Sequence, residues 1–219
     1  MTRRPFLHAL LLLAALLPAG AFAPDKPAPL EEGTHYLVSD GGKPFTAPVK
    51  GKVEVVEVFG YTCPHCARFQ PKVSAWKKKR TAQVNFVPLA APFGSYWTPY
   101  AKAFYAAQTL GAMDKTHDAM FLALHTDGTL PIHNATPDEI AAFYARYGVD
   151  TQQFLTAFDS PQVQQRMDDA LAFIQRSGVD GTPTLVVAGK YRVTGMTLDE
   201  TLRIADQLVA RERATVAKR

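Results

Sequence analysis

The chain has 219 residues, 47% of them apolar and 20% charged, enough for one large core or for one domain carrying an insertion. That balance excludes a disordered chain, and past the N-terminus no apolar stretch is long enough to span a membrane. The net charge of +4, two of which come from Arg3 and Arg4, is too mild to argue for a nucleic-acid partner.

The opening MTRRPFLHALLLLAALLPAGAFA combines a short cationic start, an apolar core from Phe6 to Leu17, a breaker at Pro18 and then small residues. It reads as a secretory signal peptide over residues 1–23, too short for a stable membrane helix. Cleavage after Ala21 or after Ala23 satisfies the small-x-small rule; the second would leave Pro24 at the new terminus, which favours the first. TRRPFL resembles a twin-arginine export motif, although the Leu-rich core suits the general secretory route better. The exported chain is expected to work in an oxidising space outside the cytoplasm, where thiol chemistry matters.

Residues 24–32 are Pro-rich and predict an extended lead-in. VEVVEVFGY, from Val53 to Tyr61, is nearly continuous β-branched and apolar sequence, the signature of a strand buried on both faces. Phe69, Val73 and Trp76 then recur at helical spacing, with Pro64 in the first turn where its missing N–H costs nothing. The run Lys77 to Arg80 predicts a solvated helix end. VNFVPL, from Val84 to Leu89, is the next strand.

Between Thr98 and Ser177 the pattern is helical throughout. One helix opens at Thr98-Pro99 and closes at Gly111, and a second covers Asp114 to His125, with His117 and His125 as packing or surface residues. A capping box at Thr136 to Glu139 starts a third, ended by Gly148, and Ser160-Pro161 starts a fourth, ended by Gly178. Strand character returns in TPTLVVAG and KYRVTG, joined by a turn at Gly189, and a second capping box at Thr197 to Glu200 launches a last helix. The order predicts an α/β domain, residues 24–97 and 178–219, interrupted by an all-α insertion over 98–177.

Both cysteines lie in GYTCPHCARF, at Cys63 and Cys66. A zinc site would need two further ligands at paired spacing, which the remaining histidines do not offer. A structural disulfide across two residues closes so short a loop that it stabilises the fold poorly. Exchange chemistry fits better. At a helix N-terminus Cys63 meets free N–H groups and the positive end of the macrodipole, both of which favour the thiolate, and His65 adds a donor or a charge. Cys66, one turn further in, would be shielded. Stabilising the thiolate stabilises the reduced pair, which makes its disulfide an oxidant of other thiols.

EVFGYTCPHCARF, the downstream GVDGTPTLVVAGKYRV and the helical insertion together resemble the DsbA family of thiol:disulfide interchange proteins, within the thioredoxin superfamily. The likeness covers nearly the whole chain after the signal, and few branches of the superfamily carry Cys-Pro-His-Cys. It implies a thioredoxin-like fold, a periplasmic enzyme that introduces disulfides into exported proteins, and no cofactor. It further implies an exposed nucleophile at Cys63, a buried partner at Cys66, and tuning by Pro64 and His65 between them. Thr182-Pro183 becomes the loop opposite the disulfide, with Pro183 in cis and the Thr182 backbone free to pair with a substrate. Glu57, six residues before Cys63 in an apolar strand, becomes a buried proton acceptor for Cys66; the plainer alternative, an edge or strand-end carboxylate facing water, is disfavoured because a carboxylate in a two-sided apolar strand is costly.

A monomer reoxidised by a quinone-linked membrane protein of the DsbB type follows from the same likeness. Two departures stand out: Gln70-Pro71 replaces acidic residues after the motif, and no lysine stands in VPLAAP to partner the buried acid. A disulfide isomerase or reductase and a non-redox peptide-binding chaperone are the alternatives. Isomerase relatives carry an N-terminal dimerisation domain, for which the stretch between the signal and the first strand is too short.

Overall fold

The computed structural model describes residues 28–39 and 42–216. The signal region predicted over residues 1–23 lies outside them. Five strands form one sheet in the order β1-β5-β4-β2-β3, where β1 is Tyr36–Val38, β2 Val53–Phe59, β3 Val84–Ala90, β4 Thr184–Val187 and β5 Tyr191–Val193. Every residue of β2 is buried, as its nearly continuous apolar sequence predicts for a central strand. It runs parallel to β3, Val53 opposite Val84 and Phe59 opposite Ala90, and antiparallel to β4. The parallel pair requires a crossover, and α1, Pro64–Arg80, supplies it.

Five helices lie between β3 and β4: α2 Trp97–Thr109, α3 Met113–His125, α4 Pro137–Ala145, α5 Thr151–Phe158 and α6 Pro161–Arg176. The helix α7, Leu198–Val216, closes the chain. The result is an α/β fold with a helical insertion, and its elements follow the predicted order with two additions. One is β1, whose three residues are too few for a periodic signal; it exists because Tyr36 pairs with Val193 and packs edge-on against Tyr191 at 5.4 Å. The other is α5, a helix of eight residues capped by the Asp150 side chain, which accepts from Gln153 N at 2.8 Å. Its anchor is tertiary, Phe154 stacked on Tyr144 with centroids 4.4 Å apart.

The sheet separates two apolar clusters. One joins Val56, Val58 and Phe59 to the insertion helices; the other packs Val55, Leu185 and Val187 against α1 and α7. The basic run at the end of α1 departs from the solvated-end expectation. Arg80 forms two hydrogen bonds of 2.7 and 2.8 Å with Asp206 on α7, and Lys77 lies 5.5 Å over the Phe86 ring. Lys78 and Lys79 are exposed as expected.

Candidate active site

The strand β2 ends at Phe59, and a tight turn follows in which Cys63 N donates to Gly60 O at 3.1 Å. Cys63 is the N-cap of α1 and has extended backbone angles, with Pro64 next to it at the start of the helix. No side chain caps this helix. Its first-turn N–H groups are left to the sulfur, and those of His65 and Cys66 both favour the Cys63 thiolate. The expected junction of buried strand and helix start is therefore present, with both cysteines as free thiols.

Exposure differs from the expectation in degree. Cys66 is fully buried, but Cys63 keeps only 7% of its surface, while Pro64 and His65 are exposed. The loop from Gly181 to Thr184 covers it: the Cys63 thiol donates to Thr182 O at 3.5 Å, and the Thr182–Pro183 bond is cis. The two thiols differ sharply in acidity. A hydrogen bond with Cys66 brings Cys63 down to about 5, against burial and with help from the Thr182 side chain and the helix N–H groups. Burial pushes Cys66 well above its ordinary value, and the neighbouring Cys63 adds to the rise.

Glu57 is not a solvent-facing carboxylate. It is 1% exposed, its register partners are Pro88 and Leu185, and its Oε2 has no hydrogen-bond partner. Desolvation raises it to about 8, with Lys77 opposing. At neutral pH it is chiefly a carboxylic acid, poised to give up or take up a proton.

Further side chains surround the motif. Arg68 donates from Nη2 to His65 Nδ1 at 2.9 Å. A guanidinium can only donate, so this His65 ring holds its proton on Nε2 and the positive charge beside the motif belongs to Arg68. Gln70 is buried and donates to Asp118 Oδ1 at 2.6 Å and to Ser74 Oγ at 3.2 Å. Only the helical spacing of His117 and His125 hinted that they share a face with Phe121, and that face meets Tyr61 in the turn.

A pair of thiols this unequal, opposite a cis-proline loop on a mixed thioredoxin-type sheet, is built to trade disulfides with other proteins. The class so defined is the dithiol oxidoreductases of the thioredoxin fold. A family model described as "Thioredoxin" matches residues 46–207. The thiol:disulfide interchange protein DsbA of Pseudomonas aeruginosa is 37% identical over 99% of this chain and 100% of its own length. That of Azotobacter vinelandii is 36% identical over 97% and 99%. Among solved structures, the oxidoreductase DsbA from Xylella fastidiosa superposes with a TM-score of 0.81 at 48% identity, over 84% of this chain and 98% of that one. The chain belongs to the DsbA family of thiol:disulfide oxidoreductases.

Proposed function

We propose that the chain oxidises pairs of thiols in exported polypeptides through Cys63 and Cys66, and that it does so in the periplasm. The observation that carries this reading is the opposite acidity of the two thiols, Cys63 lowered to about 5 and Cys66 raised. A stabilised Cys63 thiolate stabilises the reduced pair, so the disulfide tends to leave the enzyme for its substrate.

In the first step a substrate thiolate attacks Cys63 Sγ of the enzyme disulfide. The Cys63–Cys66 bond breaks, and Cys66 departs with the electron pair. Being a weak acid in its buried site, Cys66 takes up a proton, and Glu57 supplies it from its protonated carboxyl; in the reverse direction Glu57 accepts one. A second substrate thiolate then attacks the substrate sulfur of the mixed disulfide, and Cys63 leaves as a thiolate, a good leaving group because it is acidic. Two electrons pass to the enzyme, and one disulfide forms in the substrate. Pro64 shapes the first turn, His65 and Arg68 tune it, and the Thr182 backbone beside Pro183 pairs with the extended substrate. A quinone-linked membrane protein of the DsbB type would reoxidise the pair.

Equilibration with glutathione buffers tests the direction of transfer. The expected reduction potential is well above that of thioredoxin; a value as low as thioredoxin's would overturn the oxidase reading. Cys63→Ser is expected to abolish oxidative refolding of a reduced test protein. Activity surviving that change would point to peptide binding without redox turnover.

A further inference from the structure

The turn that delivers Cys63 is gripped from outside its own domain. Tyr61, two residues before the nucleophile, is 2% exposed. Three residues of α3 at successive four-residue steps meet it: His117 at its phenol, Phe121 against its ring and His125 at its backbone. The Tyr61 hydroxyl lies 2.9 Å from His117 Nδ1, the Phe121 and Tyr61 centroids are 5.0 Å apart, and His125 Nε2 lies 2.7 Å from Tyr61 O. Spacing of i, i+4 and i+8 puts the three on one stripe of the helix, spanning about 12 Å at 1.5 Å per residue. A carbonyl only accepts, so His125 carries a proton on Nε2 and donates it.

His117 is 5% exposed, and burial joined by Lys77 holds its ring at about 4, below the ordinary imidazole value. Burial likewise keeps the Tyr61 phenol protonated far above its usual range. A protonated phenol facing a neutral ring gives one hydrogen bond without burying a charge. Packing alone does not require this arrangement, because three apolar residues on the stripe would fill the same space with no polar atom to satisfy. The two imidazoles fix what packing leaves free, the rotation of the Tyr61 peptide and ring. That peptide belongs to the Gly60–Cys63 turn, whose orientation sets where Cys63 Sγ sits relative to the first N–H groups of α1.

We infer that His117 and His125 are positioning residues of the insertion, which hold Tyr61 and so aim the Cys63 sulfur at the helix N-terminus. The inference rests on the exchange role proposed for Cys63. On this view α3 forms part of the device that makes the motif oxidising, in addition to roofing it.

The test is the Cys63 thiolate midpoint, read from ultraviolet thiolate absorbance against pH in wild type, His125→Leu, His125→Gln and Tyr61→Phe, with thermal unfolding followed alongside. His125→Leu removes the donor and is expected to raise the midpoint by about one pH unit, a tenfold loss of thiolate stabilisation. A glutamine amide reaches as far as Nε2 and donates, so His125→Gln should restore the midpoint to within a few tenths of a unit. Tyr61→Phe keeps the ring and loses only the bond to His117, and a smaller rise is expected. A wild-type midpoint in folded His125→Leu, or equal shifts in the Leu and Gln variants, would overturn the role of His125. An unshifted midpoint in Tyr61→Phe would overturn that of His117, and it remains decisive should His125→Leu fail to fold. An ordinary thiol midpoint in the wild type would instead strike at the exchange reading itself.

Discussion

Glu57 shows how a single side chain is set by where the strand puts it. Buried in the centre of the sheet and short of a partner for Oε2, it is held at about 8 against an ordinary 4.5. The unfolded chain releases this proton near pH 4.5, whereas the folded chain keeps it until about pH 8. Stability therefore falls as pH rises between those values and levels off above the higher one. Glu57→Gln keeps the shape and removes the titration. The variant should match or trail wild type near pH 5 and exceed it above about pH 8, by a few kcal/mol at most. Urea unfolding at the two ends of that window measures the difference, and a constant offset would show that burial does not hold the proton. Thiol exchange should slow in the same variant, because an amide cannot supply the proton Cys66 needs. At this scale much was legible: the cysteine spacing, Pro64 at the helix start and the oddity of an acid in an apolar strand are local facts. Arg68 on His65 is likewise local, an i, i+3 pair on α1, whereas the three contacts to Tyr61 depend on where α3 comes to rest.

Secondary-structure elements were readable wherever they carried their own punctuation. The Thr136 capping box forms in both directions, Thr136 Oγ1 accepting from Glu139 N at 3.2 Å and Glu139 Oε2 accepting from Thr136 N at 2.8 Å. Gly178 takes the left-handed backbone that ends α6. By contrast β1 and α5 are short, and they exist because Val193 and Tyr144 are there to receive them. At the end of α1 the basic run is solvated at Lys78 and Lys79 but not throughout, for a related reason. Charge clustering says which residues favour water, but Asp206 on α7, distant in sequence, claims Arg80 twice and also accepts from Trp76 Nε1 at 2.8 Å. This one carboxylate ties the two helices that cover the same face of the sheet. Asp206→Ala leaves an indole N–H and a half-buried guanidinium without their acceptor and should cost about 2 kcal/mol in chemical unfolding, the scale of hydrogen bonds to charged groups. Asp206→Asn, which can still accept from Trp76, should cost clearly less. Equal losses in the two variants would assign the effect to charge alone.

Across the whole molecule, the sheet core and the helical insertion meet directly behind the reactive turn. Gly60 directly follows the central strand and accepts from Cys63 N, while Trp97 opens α2 and lays its ring on the same glycine. A Cβ on Gly60 would stand 2.9 Å from Trp97 Cη2 and closer still to Cζ3 and Cε3, so any side chain there drives the two parts apart. The backbone of Gly60 is not in the left-handed region, which leaves space as the reason for glycine. Gly60→Ala should therefore destabilise the protein by about 2 kcal/mol, as overpacking does. It should also make exchange at Cys63 less effective, because the turn and the insertion shift together. Trp97→Ala vacates the space and costs stability of its own through lost packing. If steric conflict is the whole reason, adding Gly60→Ala to Trp97→Ala should cost almost nothing, a coupling of about 2 kcal/mol between neighbours. Strict additivity in urea unfolding would mean that Gly60 serves the turn rather than the seam. The contact between sheet and insertion would then lose its claim to set the geometry of the reactive thiol.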